Sequence, residues 1–421
     1  MPLLGLKCAL SNRFALVEGS SKLKLLLEAA PVDPSREFAP SLNLTLIIDR
    51  STSMMGEALD SVKRAAFHMI DSLADSDCVA IVGFSDQVSV VSGSQPLVDR
   101  AAIKQAVERL RAQGATNIHG AIDLGHREAM RHYSADRINR MLFLSDGEAT
   151  AGITEDDQIL ALADSARRDG LSISTLGVGE EYDEMLLGQI ARRGGGNHYF
   201  IQTPDAIPRI FQEELAKAKS VIAKNVMVRV QPQGETQVRM LNQRYRCETV
   251  GEEFVVYLDE LEAARPQATI LDLEVVAREA GEYVPVTAQL IYDNLLDHTR
   301  GETVRGEIRL EYVTEGSRIR AGINREVLRR WEELSAMQDL KVIVDQVKDR
   351  RIDAKTAVLE LDRKTQVLVK KKAIEAARVL AAVSRTIVEE GGVSTSLAKR
   401  TMVECEEVEK GATAGKTIIE E

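Results

Sequence analysis

The sequence predicts an α/β domain with a doubly wound, mostly parallel sheet, inserted in a β sandwich and followed by a helical hairpin. Three patterns indicate this architecture. Apolar strands alternate with helices over residues 41–220, which is typical of a parallel sheet covered on both faces. Apolar residues then alternate with period two over residues 221–318 and recur with helical spacing over residues 319–392.

The α/β region opens with an apolar run from Leu42 to Ile48, whose length and Leu/Ile/Thr content fit a buried strand. The later elements follow from apolar periodicity, capping residues and glycine stops. A hairpin that turns at Gly93 is expected within this region. The predicted helices cover residues 57–74, 99–111, 118–132, 157–168, 183–193 and 204–219, and the other predicted strands cover residues 79–84, 87–91, 96–98, 141–145, 171–178 and 198–201.

Alternating apolar residues and intervening turns predict an antiparallel β sandwich over residues 221–318. The N-terminal segment, residues 1–40, also alternates, at Leu23, Leu25 and Leu27. It has no local helix on which to pack. We therefore expect it to join the sandwich, so that the α/β domain is an insertion.

Two apolar stripes, from Ile323 to Val347 and from Val358 to Ile387, are spaced as in helices and joined by a short connection. They predict an antiparallel helical hairpin that packs within the chain rather than as a free coiled coil. Residues 393–421 are small, polar and acidic, and predict a flexible tail. Within it, Thr413 and Thr417 are candidate phosphorylation sites.

Charge and composition restrict the class of protein. The net charge of −11 argues against nucleic acid or an anionic membrane as the main partner, because phosphate binding needs a basic face. The four cysteines are far apart, and none lies at metal-ligand spacing to another. Neither a signal peptide nor a long apolar run is found, so we expect a cytoplasmic protein that does not span a membrane.

The loop after the first strand of the α/β region carries Asp49, Ser51 and Ser53, spaced by two. In an open α/β sheet, ligands bind at the carboxyl ends of the strands. A carboxylate and two hydroxyls there suit a hard cation such as Mg²⁺. The alternative is that the Asp and Ser residues cap a helix that begins near Glu57. We expect the loop to be exposed, so that Asp49→Ala removes metal binding and spares the fold.

Two further segments favour the metal site. Gly114-Ala115-Thr116-Asn117 opens a helix, and the apolar strand Met141–Ser145 is followed by Asp146-Gly147. Asp-x-Ser-x-Ser, a threonine and strand-Asp-Gly, in that order, resemble the metal-ion-dependent adhesion site of von Willebrand factor type A domains, over about residues 43–220.

The resemblance implies a site for Mg²⁺, with Mn²⁺ also possible. The hydroxyls of Ser51, Ser53 and Thr116 would bind the ion directly. Asp49 and Asp146 would act mostly through bound water, and an Asp or Glu of a partner would take the sixth position. Thr52 stands where many members of the family carry glycine.

Three kinds of catalytic or nucleotide site are disfavoured by the residues. Phosphatases with a nucleophilic Asp use Asp-x-Asp, whereas Ser51 stands here in place of the second aspartate. The Gly-x-Gly at Gly177 lacks the third glycine of a dinucleotide fingerprint, because Tyr182 stands there. The run that begins at Gly194 lacks the Lys and Ser/Thr of a P-loop. His119 and Asp86 are interpreted as a surface residue and a turn residue.

The resemblance implies a bacterial, non-enzymatic protein that binds a protein partner through Mg²⁺, as a regulatory or assembly adaptor. The helical hairpin or the tail could hold a second partner. Two alternatives remain open, namely a metal-independent scaffold and a Mg²⁺-dependent hydrolase.

Overall fold

The computed structural model describes residues 2–33, 39–179, 182–240 and 245–409. The chain divides into two compact units, one formed by residues 38–221 and the other by residues 1–37 together with 222–421. They are called here the inserted unit and the outer unit. Three strands of the outer unit come first in the chain: β1 (Leu4–Leu10), β2 (Phe14–Leu16) and β3 (Ser21–Pro31).

The described residues of the inserted unit form one sheet of six strands and six α-helices. Its sheet order is β6-β5-β4-β7-β8-β9, and all neighbours are parallel except the edge strand β6, which is antiparallel to β5. Its elements in chain order are β4 (Leu42–Asp49), α1 (Glu57–Ser72), β5 (Cys78–Phe84), β6 (Val88–Pro96), α2 (Arg100–Glu108), α3 (Ile118–Met130), β7 (Ile138–Ser145), α4 (Asp156–Arg168), β8 (Ser172–Val178), α5 (Glu184–Arg193), β9 (Gly195–Ile201) and α6 (Ile207–Ser220).

The central strands of this sheet are apolar because helices cover both faces. Every residue of β4, β5, β7 and β8 is buried. Side-chain caps fix the helix starts: Asp99 accepts a hydrogen bond from Ala102 N, and Asp183 accepts one from Leu186 N. Because β4 lies between β5 and β7, its carboxyl end meets those of its parallel neighbours.

The predicted hairpin at Gly93 is wrong. Residues 88–96 form one continuous strand, β6, which is paired with β5. The pairing register shifts where Ile81 pairs with Ser92 and Val82 pairs with Val90. The glycine therefore stands beside a bulge in an edge strand, where glycine is common, and no turn is formed.

A buried ion pair holds α6 against the sheet. Arg140 Nη1, in β7, donates to Glu214 Oε1 of α6 at 2.9 Å, and the two side chains are 4% and 1% exposed. Ser174 Oγ donates to the same oxygen at 2.6 Å, and the Tyr199 hydroxyl donates to Glu214 Oε2. Burial alone would raise the pKa of Glu214, but the Arg140 charge and the two hydroxyl donors lower it below its ordinary value.

In the outer unit, the strands that the structure describes form two sheets. The four-stranded sheet has the order β1-β3-β14-β11, and the six-stranded sheet has the order β12-β13-β10-β15-β16-β2. The later strands are β10 (Val221–Pro232), β11 (Gln237–Met240), β12 (Arg246–Val250), β13 (Glu253–Glu262), β14 (Gln267–Val275), β15 (Gly281–Asn294) and β16 (Thr299–Val313).

Strands from both sides of the insertion share these sheets. Leu23, Leu25 and Leu27 of β3 face Leu273, Leu271 and Thr269 of the antiparallel β14, and β2 runs parallel to β16. The two sheets touch where the Tyr292 hydroxyl of β15 accepts hydrogen bonds from the backbone of Leu3 and Leu4.

The helical part of the outer unit is not a hairpin. After the short α7 it contains four longer helices, which share one apolar cluster. The helices are α7 (Gly316–Ala321), α8 (Arg325–Lys348), α9 (Ala354–Lys370), α10 (Ile374–Glu390) and α11 (Thr395–Glu409). The second predicted helix is broken into α9 and α10, and α11 occupies the first half of the predicted flexible tail.

Both differences have local causes. Lys372 adopts a left-handed conformation, with φ of 60°, and Ala373 N donates to Leu368 O, so α9 ends without the glycine that usually signals a stop. At the start of α11, Ser394 Oγ accepts a hydrogen bond from Leu397 N. Leu397 and Cys405 then pack into the apolar cluster.

None of the helices in the described ranges has the length and hydropathy that a membrane span requires. Thr413 and Thr417, the candidate phosphorylation sites, lie outside the described residues.

We expect Glu214→Gln to lower the free energy of unfolding by about 3–5 kcal/mol, because Arg140 would lose its buried counter-charge. The matched control is Glu213→Gln, since Glu213 is 37% exposed and lies 3.8 Å from Arg209, so its loss should cost less than about 0.5 kcal/mol. Urea denaturation of both variants checks this. Because the pKa of Glu214 is lowered on folding, its contribution is present above its ordinary pKa of 4.5 and lost in more acid solution. Equal losses in the two variants would contradict the assignment.

Candidate metal centre

Two neighbouring strands bring the first pair of oxygen-bearing groups together. Asp49 ends β4, and Ser145 ends β7, its parallel neighbour. The Ser145 hydroxyl donates to Asp49 Oδ2 at 2.5 Å. Asp49 is fully buried, so its carboxylate is held at the edge of the sheet rather than in solvent.

The loop after β4 extends this contact into a chain of oxygens. Asp49 Oδ1 accepts a hydrogen bond from Ser51 N at 2.8 Å, and Ser51 Oγ lies 3.0 Å from Ser53 Oγ. Ser53 Oγ then donates to Asp146 Oδ1 at 2.7 Å. Four of the five predicted residues are thus joined, and the series runs from the buried Asp49 to the exposed Ser53 and the half-buried Asp146.

Thr116 reaches the same place from the loop before α3. The backbone N and the hydroxyl of Thr52 both donate to Gly114 O, at 3.0 and 3.1 Å, which ties this loop to the one after β4. A Cβ on Gly147 would lie 3.6 Å from Thr116 Oγ1 and 4.0 Å from Ser53 Oγ. Both hydroxyls therefore border the small space that this glycine leaves open.

The alternative of a helix N-cap does not describe this loop. Ser51 precedes a short 3₁₀ helix, Thr52–Met54, and its side chain makes no capping hydrogen bond there. The N-cap of α1 is Gly56, with φ of 88°, which caps without a side chain. The hydroxyls of the loop are instead directed to one another and to Asp146.

The expectation that Asp49 lies on an exposed loop is wrong, because the carboxylate is buried at the strand end. Burial raises the pKa of Asp49 to about 6, while hydrogen bonds from Ser145 and Ser51 oppose the rise and the nearby Asp146 adds to it. The ionised carboxylate is thus unfavourable in this position without a counter-charge. A cation next to it would supply one.

The donor set fits Mg²⁺. All the converging groups are oxygens, as hard cations prefer. In an octahedral shell with Mg–O distances of about 2.1 Å, neighbouring ligands lie about 3.0 Å apart, which matches the 3.0 Å between Ser51 Oγ and Ser53 Oγ. Within the described ranges, no group of three or more His, Cys, Asp or Glu residues is placed to hold a metal ion. A site at this edge therefore depends on hydroxyls.

The other residues considered as site candidates in the sequence lie in places that packing and strand pairing explain. Asp86 is exposed, and its side chain lies against Gly114, while His119 is half-buried in the first turn of α3. The Tyr182 ring covers Gly177 so closely that a Cβ there would lie 2.2 Å from it, so this glycine serves the packing of the tyrosine. A Cβ on Gly196 would lie 2.2 Å from Ile173 O, so this glycine serves the pairing of β9 with β8.

Sequence analysis missed two contributors to the site, Ser145 and Thr52. Both lie next to predicted ligands, and their roles depend on which loops the sheet brings together. Thr52 differs from the glycine common in the family, and its hydroxyl makes one of the two hydrogen bonds to Gly114 O.

Comparison with known proteins identifies the inserted unit. Residues 43–213 match the family model described as the von Willebrand factor type A domain. The chain contains a von Willebrand factor type A domain. The matched segment includes all five predicted ligands and ends within α6, so it covers nearly the whole inserted unit.

Similar proteins extend the likeness beyond the A domain. An uncharacterized protein of Synechocystis, sll0103, is 28% identical over 291 residues, which are 67% of this chain and 67% of that protein. The uncharacterized protein YfbK of Escherichia coli is 28% identical over 51% of this chain but only 38% of its own length. A solved structure, described as von Willebrand factor type A from Catenulispora acidiphila, has a TM-score of 0.76 at 17% identity and covers 99% of this chain and 97% of its own. This last likeness shows that the two chains share a fold.

We expect Asp49→Asn to leave the A domain at least as stable as wild type in EDTA at pH 7, and up to about 3 kcal/mol more stable. Asn keeps an acceptor for Ser51 N and removes a buried charge. Because folding raises the pKa of Asp49 from 3.8 to about 6, the wild type loses stability as the pH rises through that interval, and the variant does not. Urea denaturation at pH 7 with chelator measures the difference. A marked loss of stability in Asp49→Asn would show that the carboxylate is needed for the fold itself.

Proposed function

We propose that the A domain is a Mg²⁺-dependent protein-binding module and that the chain acts as a regulatory or assembly adaptor without catalytic activity. The observation that carries the proposal is the series of oxygens from Asp49 through Ser51 and Ser53 to Asp146, with Thr116 beside it. These groups lie at the carboxyl edge of a parallel sheet, where ligands bind in this class of fold.

Within the proposal, Ser51, Ser53 and Thr116 hold the ion through their hydroxyls, and the two carboxylates compensate its charge. The bound ion would supply a positive centre at the protein surface, to which a carboxylate of a partner can bind. Since Ser53 is exposed and Asp49 buried, a partner would approach from the Ser53 side. A cytoplasmic location, the choice of Mg²⁺ over Mn²⁺ and a second partner on the helices or the tail stay predictions.

Ser53→Ala and Asp146→Ala should each lower the affinity for Mg²⁺ by about tenfold or more, because each removes an oxygen of the site. Titration calorimetry with MgCl₂, followed by thermal melts with and without the ion, checks this. The matched control is Thr154→Ala, which removes an exposed hydroxyl between β7 and α4. Its affinity should equal that of wild type. Equal Mg²⁺ affinity in the control and the two site variants would refute the assignment.

Partner capture should depend on the ion. With the full chain as bait, we expect one or more proteins to be retained in Mg²⁺, lost in EDTA and lost with Ser53→Ala, while Thr154→Ala retains them. A retained partner should in turn lose binding when one of its surface Asp or Glu residues is changed to Asn or Gln. Proteins retained equally by all the baits, with and without chelator, would favour the metal-independent scaffold.

A further inference from the structure

The outer unit has an open sheet edge at β12. This strand ends the six-stranded sheet and pairs only with β13 among the described strands. All five of its residues are exposed. Such an edge offers backbone N–H and C=O groups to any strand that can lie beside it.

Three other edge strands of the described chain are bent, shortened or covered. In the inserted unit, the edge strand β6 carries register shifts and ends at Pro96. In the outer unit, β2 has three residues, and β1 packs against β16. By contrast, β12 contains no proline, and its pairing with β13 shows no register shift. Its charged residues, Arg246 and Glu248, restrict strand addition to a partner whose charges match them.

The hydrogen-bonding direction of β12 follows from its turn. Val250 pairs with Glu253 across the two-residue turn at Gly251, whose φ is 63°. Residues that flank such a turn exchange both of their hydrogen bonds with each other. Alternate residues of the strand therefore direct their backbone groups away from β13. These outward residues are Cys247 and Thr249.

We propose that β12 pairs antiparallel with β12 of a second copy of this chain, about a two-fold axis at Cys247. In that register, Cys247 meets Cys247 of the second copy as a hydrogen-bonded pair, which the outward direction of its backbone requires. Arg246 then lies directly opposite Glu248 of the second copy, and the symmetry makes this pair twice. Opposite charges in such positions stabilise a ladder. A register centred at Glu248 would place two carboxylates face to face.

The two charged side chains are already held for this contact. The Arg246 guanidinium lies over the Tyr257 ring, 3.8 Å from its centroid, and Glu248 accepts a hydrogen bond from the Tyr257 hydroxyl. Both therefore stand on one face of the β12–β13 hairpin. Less side-chain freedom is lost when they meet their counterparts.

Sedimentation velocity of the full chain, in EDTA and reducing agent, tests the proposal independently of the metal site. In this register Arg246, Cys247 and Glu248 of β12 lie opposite β12 of the second copy, and Thr249 lies opposite Tyr245. The interface is small, so we expect a weak dimer with a dissociation constant on the order of 10 µM. Arg246→Glu and Glu248→Arg should each lower the association constant about tenfold or more, because two like-charge pairs replace two opposite ones. The double variant exchanges the charges and should recover the wild-type constant to within about threefold.

Two further variants address the backbone. Thr249→Pro removes an outward N–H that the β12–β13 pairing does not use, so it should abolish the dimer while the circular dichroism spectrum is retained. Thr249→Val is its matched control and should dimerise like wild type. Cys247 is the exposed cysteine of the chain, and a short bismaleimide should cross-link the wild type but not Cys247→Ser.

A wild-type chain that stays monomeric at all concentrations would overturn the proposal, even if a strand of another protein binds the same edge. A double charge exchange that dimerises no better than the single variants would overturn the register. Dimers that persist in Thr249→Pro would place the interface elsewhere.

Discussion

A carboxylate buried at the end of a central strand fixes the conformation of the loops around it. Asp49 is fully enclosed, and its two oxygens accept hydrogen bonds from Ser145 Oγ and Ser51 N. The first bond joins β4 to β7, and the second turns the chain so that Ser51 and Ser53 face Asp146. A buried charge is unfavourable unless it is paired. The carboxylate that orders the loops would therefore be stabilised by a cation beside it.

The hydroxyls of Ser51 and Ser53 are already arranged as ligands of a cation would be. Ser51, Ser53 and Asp146 satisfy one another through hydrogen bonds, which hold the loop in one conformation. Oxygens spaced at about 3.0 Å already have the separation of neighbouring ligands of Mg²⁺. An ion bound as proposed would be held by these same oxygens in place of their hydrogen bonds to one another. A set of three or four carboxylates could not be preorganised like this, because like charges would repel.

Much of the A domain could be predicted from the sequence because its signals are local. The length and the Leu/Ile/Thr content of the run from Leu42 to Ile48 predict the buried strand that is found. The helices predicted to begin at residues 99 and 183 follow directly after Asp99 and Asp183, which are their N-caps. The five candidate ligands lie at the ends of elements predicted in this way. The burial of Asp49 could not be predicted, since it depends on the neighbouring β7 and on Ser145. The contribution of Thr52 likewise depends on which loop lies opposite.

The errors in the helical region have a common origin. Sequence analysis took a glycine to mark the end of a helix, but α9 ends at Lys370, and the left-handed residue that follows it is Lys372 rather than a glycine. The polar composition after residue 393 suggested a tail, but the polar side chains Ser396, Lys399 and Thr401 are buried within α11. Polar residues that are buried by tertiary packing look like solvent-exposed ones in a sequence.

The two proposed contact surfaces use different chemistry, which makes them separable. The A-domain site depends on an ion and on side-chain oxygens, so a chelator acts on it. The edge of β12 depends on backbone hydrogen bonds and on the pair formed by Arg246 and Glu248, so a chelator leaves it unchanged while salt weakens its charge pairs. If both proposals hold, each dimer carries two metal sites. A partner with two acidic segments would then bind far more tightly than a partner with one, because the second contact forms within the same complex.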